Sequence, residues 1–175
     1  MLTQLITPRA TQLITEVRAA LSGTRHPGPA VARALAGHLW HDDLLTAEQC
    51  EPAEAGYRQH VVHVEPNGTF SIVAVVWLPG QRTPVHDHVS WCVVGTYRGV
   101  EEETTYHVEE GFLVPTAVTV APRGTTTFLS PPGDIHAVRN PLEELAISVH
   151  IYGADIGALG SSIRRLYDHL PIATP

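Results

Sequence analysis

Leu13, Ile14, Val17, Ala20 and Leu21 recur at three- and four-residue intervals near the start of the chain. That spacing gathers apolar side chains on one side of a helix. Thr7 is placed to cap it, Pro8 suits the first helical position and Gly23 can end it. After the turn "HPGPA", Val31, Leu35 and Leu39 predict a second helix from Ala30 to about Trp40, and a short third is expected near Thr46. Near residue 55 the pattern changes. "HVVHV", "FSIVAVVWL", "WCVVGTY", "EETTYHVE", "FLVPTAVTVA", "TTFLS" and "LAISVHIYG" are rich in Val, Thr and aromatic residues, with "EPNGT", "LPGQRTP", "APRGT", "SPPGD" and "RNPLEE" as turns between them. Short strands at this spacing predict a mainly β fold, a small barrel or sandwich behind N-terminal α-helices. The expected organisation is a single domain over 1–175, with helices in 1–54, the β-barrel in 55–153, and a C-terminal helix and tail in 154–175. No internal repeat or low-complexity segment is visible.

Composition removes several function classes. Hydrophobic residues make up 43% and charged residues 17% of the 175, with a net charge of −7. An acidic chain whose N-terminal helices lack a basic face is a poor match for nucleic acid. No apolar run approaches the ~20 residues a membrane-spanning helix needs. "MLTQLITPRATQLITEVRAALSG" has charges where a signal peptide has an apolar stretch, and two cysteines, Cys50 and Cys92, form no disulfide framework. A reducing cytoplasm is therefore expected, for a monomer or small homo-oligomer.

The chemistry lies in the histidines, of which there are 11. His26, His38, His41 and His169 fall in helix or turn contexts and read as surface or capping residues; His60, His63 and His107 are strand residues of undetermined facing. His86 and His88 differ. In "PVHDHVSWCVVG" they form an H-x-H pair, and alternation on a strand points both rings to one face. Two converging neutral imidazoles need either separate hydrogen-bond partners or one shared metal ion. Around the pair, Gly80 lies six residues upstream and Gly99 follows; downstream, "PPGDIHAVRN" supplies Pro131, Gly133, His136 and Asn140, with Gly124 before them. These spacings resemble the two motifs of the cupin superfamily. The resemblance implies a jelly-roll barrel in which His86, His88 and His136 meet at a metal. Most cupins add a glutamate ligand; Cys92 stands in its place.

Ser148, His150 and Tyr152 alternate along "AISVHIYG" and share a strand face. They read either as a hydrogen-bonded row aimed at the metal or as half-buried residues with satisfied polar tips. Taken with the three histidines and the stretch from Tyr57 to His88, the row is similar to the cysteine dioxygenase family of thiol dioxygenases. That resemblance runs from about Tyr57 to Tyr152. It implies Fe(II) held by His86, His88 and His136, a small thiol bound through sulfur, O₂ as co-substrate, a sulfinate product, and Ser148, His150 and Tyr152 as the outer-sphere triad. It also implies a thioether between Cys92 and Tyr152, as in animal members, although Cys92 is one residue nearer the H-x-H pair. For substrate binding, Tyr57 is followed by Arg58 and Gln59; Tyr57 and Gln59 share a face, and glutamine there resembles the 3-mercaptopropionate branch. That branch draws a carboxylate-binding arginine from beyond the triad tyrosine. Ser161 occupies the matching offset, with Arg164 and Arg165 a turn later and Arg58 and Arg82 as other cations, while His60 and His63 are candidates for the entrance. The competing readings are another metal-dependent cupin enzyme and a cupin that binds a small ligand without turnover.

Overall fold

The computed structural model describes residues 6–23 and 26–173. Helix α1 (Pro8–Ser22) starts where its sequence signals place it: the Thr7 side-chain oxygen accepts the Ala10 N–H at 3.0 Å. Helix α2 (Gly28–Ala36) is shorter than expected, and residues 37–40 turn away instead of extending it. The third expected helix is one 3₁₀ turn, Glu48–Cys50, closed by reciprocal bonds between Thr46 and Gln49.

Among the described residues ten strands follow: β1 (Arg58–Val64), β2 (Ser71–Trp77), β3 (His86–His88), β4 (Cys92–Arg98), β5 (Val100–Glu109), β6 (Phe112–Pro122), β7 (Thr126–Leu129), β8 (His136–Arg139), β9 (Ala146–Tyr152) and β10 (Ile163–Leu166). They form two five-stranded antiparallel sheets, in the orders β1-β2-β9-β4-β7 and β10-β3-β8-β5-β6. β2 and β9 are buried along their whole length because both of their faces are covered. Ile72, Ala74, Val76, Ile147, Val149 and Ile151 join Leu13, Val17, Leu35 and Leu39 in a core between sheet and helices. The alternate positions, Val73, Val75, Trp77 and Tyr152, join a second cluster with Cys92 and Val138 inside the barrel. Burying each of these Leu, Ile or Val side chains contributes about 1.5–3 kcal/mol before entropy.

Two glycines make this packing possible. A Cβ on Gly95 would sit 2.7 Å from Leu35 Cδ2, so the bare backbone lets α2 lie on β4. Gly99 has φ +72° and turns the chain from β4 into β5, and a side chain there would also press on Ala146. Asn140 fixes the end of β8: its amide donates to the Trp77 and Glu144 carbonyls at 3.3 and 2.7 Å, and its Oδ1 accepts from Leu142 N–H.

The expected C-terminal helix is a strand in part. Residues 163–166 are extended and pair with β3 as β10, and the only helix beyond the barrel's last inner strand, among the described residues, is the single turn α3 (Ile156–Leu159), capped by Asp155. The register requires this. β3 is three residues long and pairs on its other side with β8 through His86 and His136 alone, so its open edge takes β10. No helix among the described residues is long and apolar enough to cross a membrane.

Candidate metal centre

β3 carries His86 and His88 inward and places Asp87 on the opposite face; β8 sets His136 directly across from His86. One ring nitrogen from each lies within 4.8 Å of the others, and all three residues are buried. Their rings sit with centroids 4.7–5.0 Å apart. Each Nδ1 meets an acceptor. His86 donates to the Pro84 carbonyl at 3.0 Å, His88 to Asp134 Oδ2 at 2.9 Å, and His136 to Glu103 Oε1 at 2.6 Å. A proton held at Nδ1 leaves a lone pair on Nε2, so three lone pairs face one point. His136 Nε2 is buried with no hydrogen-bond partner.

Burial and the neighbouring His136 push the His86 pKa down to about 3, and burial lowers that of His88 as well. His86 and His88 are thus neutral and ready to ligate at neutral pH. Three oriented imidazoles backed by two carboxylates and a carbonyl fit a divalent first-row metal with open positions. Cys92 is outside this cluster. Its Sγ lies 4.0 Å from His150 Nδ1, and burial raises its thiol pKa well above the usual range.

β9 brings Ser148, His150 and Tyr152 to the same interior. Ser148 Oγ is 2.9 Å from His150 Nε2, and Tyr152 Oη is 3.1 Å from His150 Nδ1. The Trp77 indole N–H donates to Ser148 Oγ at 3.3 Å. Burial, reinforced by the facing histidine rings, takes His150 to about 3, while burial holds the Tyr152 phenol well above its usual value. Tyr152 lies beside the cluster, its ring centroid 6.1 Å from that of His88. Cys92 and Tyr152 are register partners on adjacent strands.

A cavity with about 350 Å³ of empty space, its mouth included, joins the three histidines to His150 and Tyr152, and Tyr57, Gln59, Ser162 and Ile163 line it further out. Arg58 and Arg164 do not line it. Strand alternation turns Arg58 outward, where it lies 3.9 Å from Glu51. Arg164 donates to Asp87 Oδ2 at 2.6 Å, and Arg165 and Tyr167 donate to the same oxygen at 3.1 and 2.9 Å. Burial alone would raise the Asp87 pKa, but these three donors bring it to about 2. His60 and His63 also miss the entrance, being bonded to the Glu51 carbonyl and the Glu65 carboxylate. Arg82 lies elsewhere, so among the described residues no arginine lines the cavity. His38, expected at the surface, is 2% exposed and bonded to Glu16.

Three acidic residues went unnoticed in the sequence: Asp134, Glu103 and Glu101. Asp134 lies two residues before His136. The run Glu101-Glu102-Glu103 carried a usable signal. On a strand such a run puts two carboxyls on one face and one on the other. Glu102 pairs outward with Arg139, and Glu101 and Glu103 line the interior.

No protein-family model matches the chain. Among solved structures, an uncharacterized conserved protein with a double-stranded β-helix domain from Klebsiella pneumoniae subsp. pneumoniae MGH 78578 is 19% identical and aligns over 66% of this chain and 87% of that one, with TM-score 0.52. An oxalate oxidase is 16% identical over 63% of this chain and 58% of that one, at TM-score 0.50. A Cupin 2 conserved barrel domain protein from Salinispora arenicola CNS-205 is 23% identical over 62% and 83%, at TM-score 0.45. The fold is a double-stranded β-helix barrel, mainly β with N-terminal helices.

Proposed function

We propose that this chain is a non-haem Fe(II) thiol dioxygenase that adds both atoms of O₂ to the sulfur of a small thiol, giving the sulfinate. The observation that carries the reading is the pairing, in one cavity, of three buried histidines with the buried Ser148–His150–Tyr152 row and without a carboxylate in the cluster. His86, His88 and His136 would hold the iron, which would supply Lewis acidity and redox chemistry toward the thiol sulfur. Three neutral ligands leave the ion its full charge, which favours an anionic, soft sulfur ligand.

The remaining work falls to the chain's own groups. Tyr152 presents its hydroxyl beside the histidine cluster and is held in position there by its hydrogen bond to His150, which Ser148 holds in turn. Val75, Trp77 and Val138 wall the cavity and exclude bulk water. The outer end offers the Gln59 amide, the Tyr57 hydroxyl and Ser162, all neutral, to a polar substrate group. The narrow cavity suits a short thiol carboxylate, cysteine or 3-mercaptopropionate, bound through neutral donors rather than an arginine. Cys92 and Tyr152, opposed across β4 and β9, are the candidates for a thioether; an intact mass lower by two hydrogens after turnover is expected, and an unchanged mass rules the link out.

The test is O₂ consumption by Fe(II)-loaded protein with cysteine, 3-mercaptopropionate or cysteamine, the product weighed by mass spectrometry. Uptake with formation of a sulfinate supports the reading. Iron bound without uptake on any thiol refutes it and returns the centre to the other metal-dependent cupin chemistries.

A further inference from the structure

Arg98 ends β4 and is exposed. Most arginines of this acidic chain pair with a carboxylate, as Arg9 does with Asp43, Arg18 with Glu65 and Arg139 with Glu102. The Arg98 guanidinium pairs with none among the described residues, and no hydrogen bond holds it there. It borders a cavity of about 660 Å³ of empty space, the mouth included, together with Arg123, Asp42, Tyr97, Cys50 and Ile147. This cavity lies at the other end of the barrel from the histidines. Arg98 and Cys92 are the two ends of β4, about 20 Å apart at the rise of an extended strand. Ile147 and Tyr152 stand near opposite ends of β9.

The backbone holds the two arginines in one frame. The β4–β9 register shifts between Thr96 and Arg98, and Gly99 then turns the chain into β5. The turn between β6 and β7 is bonded to that corner. Arg123 N–H donates to the Gly99 carbonyl at 3.2 Å, and Gly124 N–H to the Thr96 carbonyl at 2.9 Å. The Arg123 side chain is fixed as well. Its Nε donates to the Leu39 carbonyl at 3.0 Å and its Nη2 to Asp42 Oδ1 at 2.7 Å. Its guanidinium carbon lies 5.3 Å from the centre of the Trp40 ring and 5.7 Å from that of Tyr97. Those two hydrogen bonds leave Arg123 with further N–H donors.

Asp42 shows what this guanidinium recognises. Its side chain is 89% exposed, yet its carboxylate docks on Arg123. One carboxylate therefore meets two cations in the same cavity, and the charge left over is positive. Ile147, the Tyr97 ring and Cys50 add apolar wall; burial raises the Cys50 pKa, so its thiol brings no negative charge. Arginine forks suit the planar or tetrahedral oxygens of a carboxylate or a phosphoryl group.

We infer that this cavity is a binding site for a small organic anion, whose carboxylate or phosphoryl group is held by Arg98 and Arg123 and whose carbon skeleton lies on Tyr97 and Ile147. The anion competes with Asp42 for Arg123. The inference does not rest on the thiol reading, because the site lies apart from the histidines and its test needs neither iron nor turnover.

The test follows the Arg98 and Arg123 Nε–H and Trp40 indole N–H resonances of the whole chain during titration with succinate or inorganic phosphate, at constant ionic strength. Saturable shifts at all three are expected with at least one of the two anions. Saturation by succinate alone identifies a carboxylate site, and by phosphate alone a phosphoryl site. Arg98→Gln changes an exposed side chain that holds nothing in the fold, and should weaken binding about tenfold or more. Asp42→Asn removes the competing carboxylate and should tighten it. Arg58→Gln, on another face, should leave the affinity as it is. No saturable shift with either anion overturns the inference. So does wild-type affinity in Arg98→Gln, or a loss in Arg58→Gln equal to that in Arg98→Gln.

Discussion

Glu103→Gln isolates the charge behind one candidate metal ligand, His136. Glu103 accepts from His136 Nδ1 at 2.6 Å, the shortest of the three bonds that orient the cluster. Glutamine keeps the length and an acceptor oxygen, so the ring stays in place while the negative charge goes. A hydrogen bond to a charged group contributes about 1.5–3 kcal/mol and a neutral one about 0.5–1.5. The difference, about 1–1.5 kcal/mol, becomes roughly a tenfold weaker metal affinity if the charge matters chiefly in the metal-bound state, the lower end of the range found when such outer partners are changed. Glu103→Ala, which also frees the ring, should cost about 100-fold. The assay is an oxygen-free competition titration of Fe(II) against a chromophoric chelator. Glu102→Gln is the control: it is the neighbouring residue on the same strand, faces outward and pairs with Arg139. Wild-type affinity in Glu103→Gln, or an equal loss in Glu102→Gln, refutes the claim that this carboxylate tunes the metal through His136.

His86→Ala and His136→Ala should each abolish stoichiometric iron loading, whereas Tyr152→Phe should keep its iron and lose most turnover; metal analysis beside O₂ uptake separates the two, and full iron in either histidine variant removes that residue from the ligand set. Gln59→Arg should shift preference toward cysteine, read as the ratio of kcat/KM for cysteine and 3-mercaptopropionate, because it places a cation at the cavity's outer end. The folded-state pKa of Glu101, about 7, lies above the 4.5 of an ordinary glutamate carboxyl, so its contribution to stability is full at acid pH and is lost as pH rises through about 7. Urea midpoints of metal-free Glu101→Gln should therefore gain on the wild type between acid and mildly alkaline pH; parallel profiles contradict the shift. His150 acts with the opposite sign, its folded pKa of about 3 lying below 6.5, so its share of stability is lost as pH falls below about 6.5.

The barrel was legible because its signals are local. Val and Thr alternation marked the long strands, and the spacing of Gly80, His86, His88, Gly99 and His136 marked the turns that hold the centre. Thr7 and Pro8 marked the first helix for the same reason. What escaped was decided by distant partners. β10 has no strand signature of its own; residues 163–166 are extended because β3 has an open edge 75 positions earlier, Ile163 pairing with His88. The same contact explains Arg164. In sequence it is a cation near the site, whereas in space Asp87 holds it on the outer face of β3. Asp134 and Glu103 were hidden because an acidic residue reads as solvated until a facing imidazole N–H gives it a buried partner.

The clasp of Arg164, Arg165 and Tyr167 on Asp87 sets an order of events in the making of the protein. The two inward histidines of β3 flank Asp87, and the strand that braces them follows 75 positions later, Ile163 pairing with His88. A ribosome emits residues from the N-terminus at about 5–20 per second, so β3 waits several seconds for its brace. During that interval the nascent chain holds its imidazoles on a strand with an open edge, and the centre closes only once residues 163–167 have emerged. Any ion taken up by the three histidines would therefore be held in a braced pocket only after residue 167 has emerged, and the ions present at that later moment would bear on which one is kept.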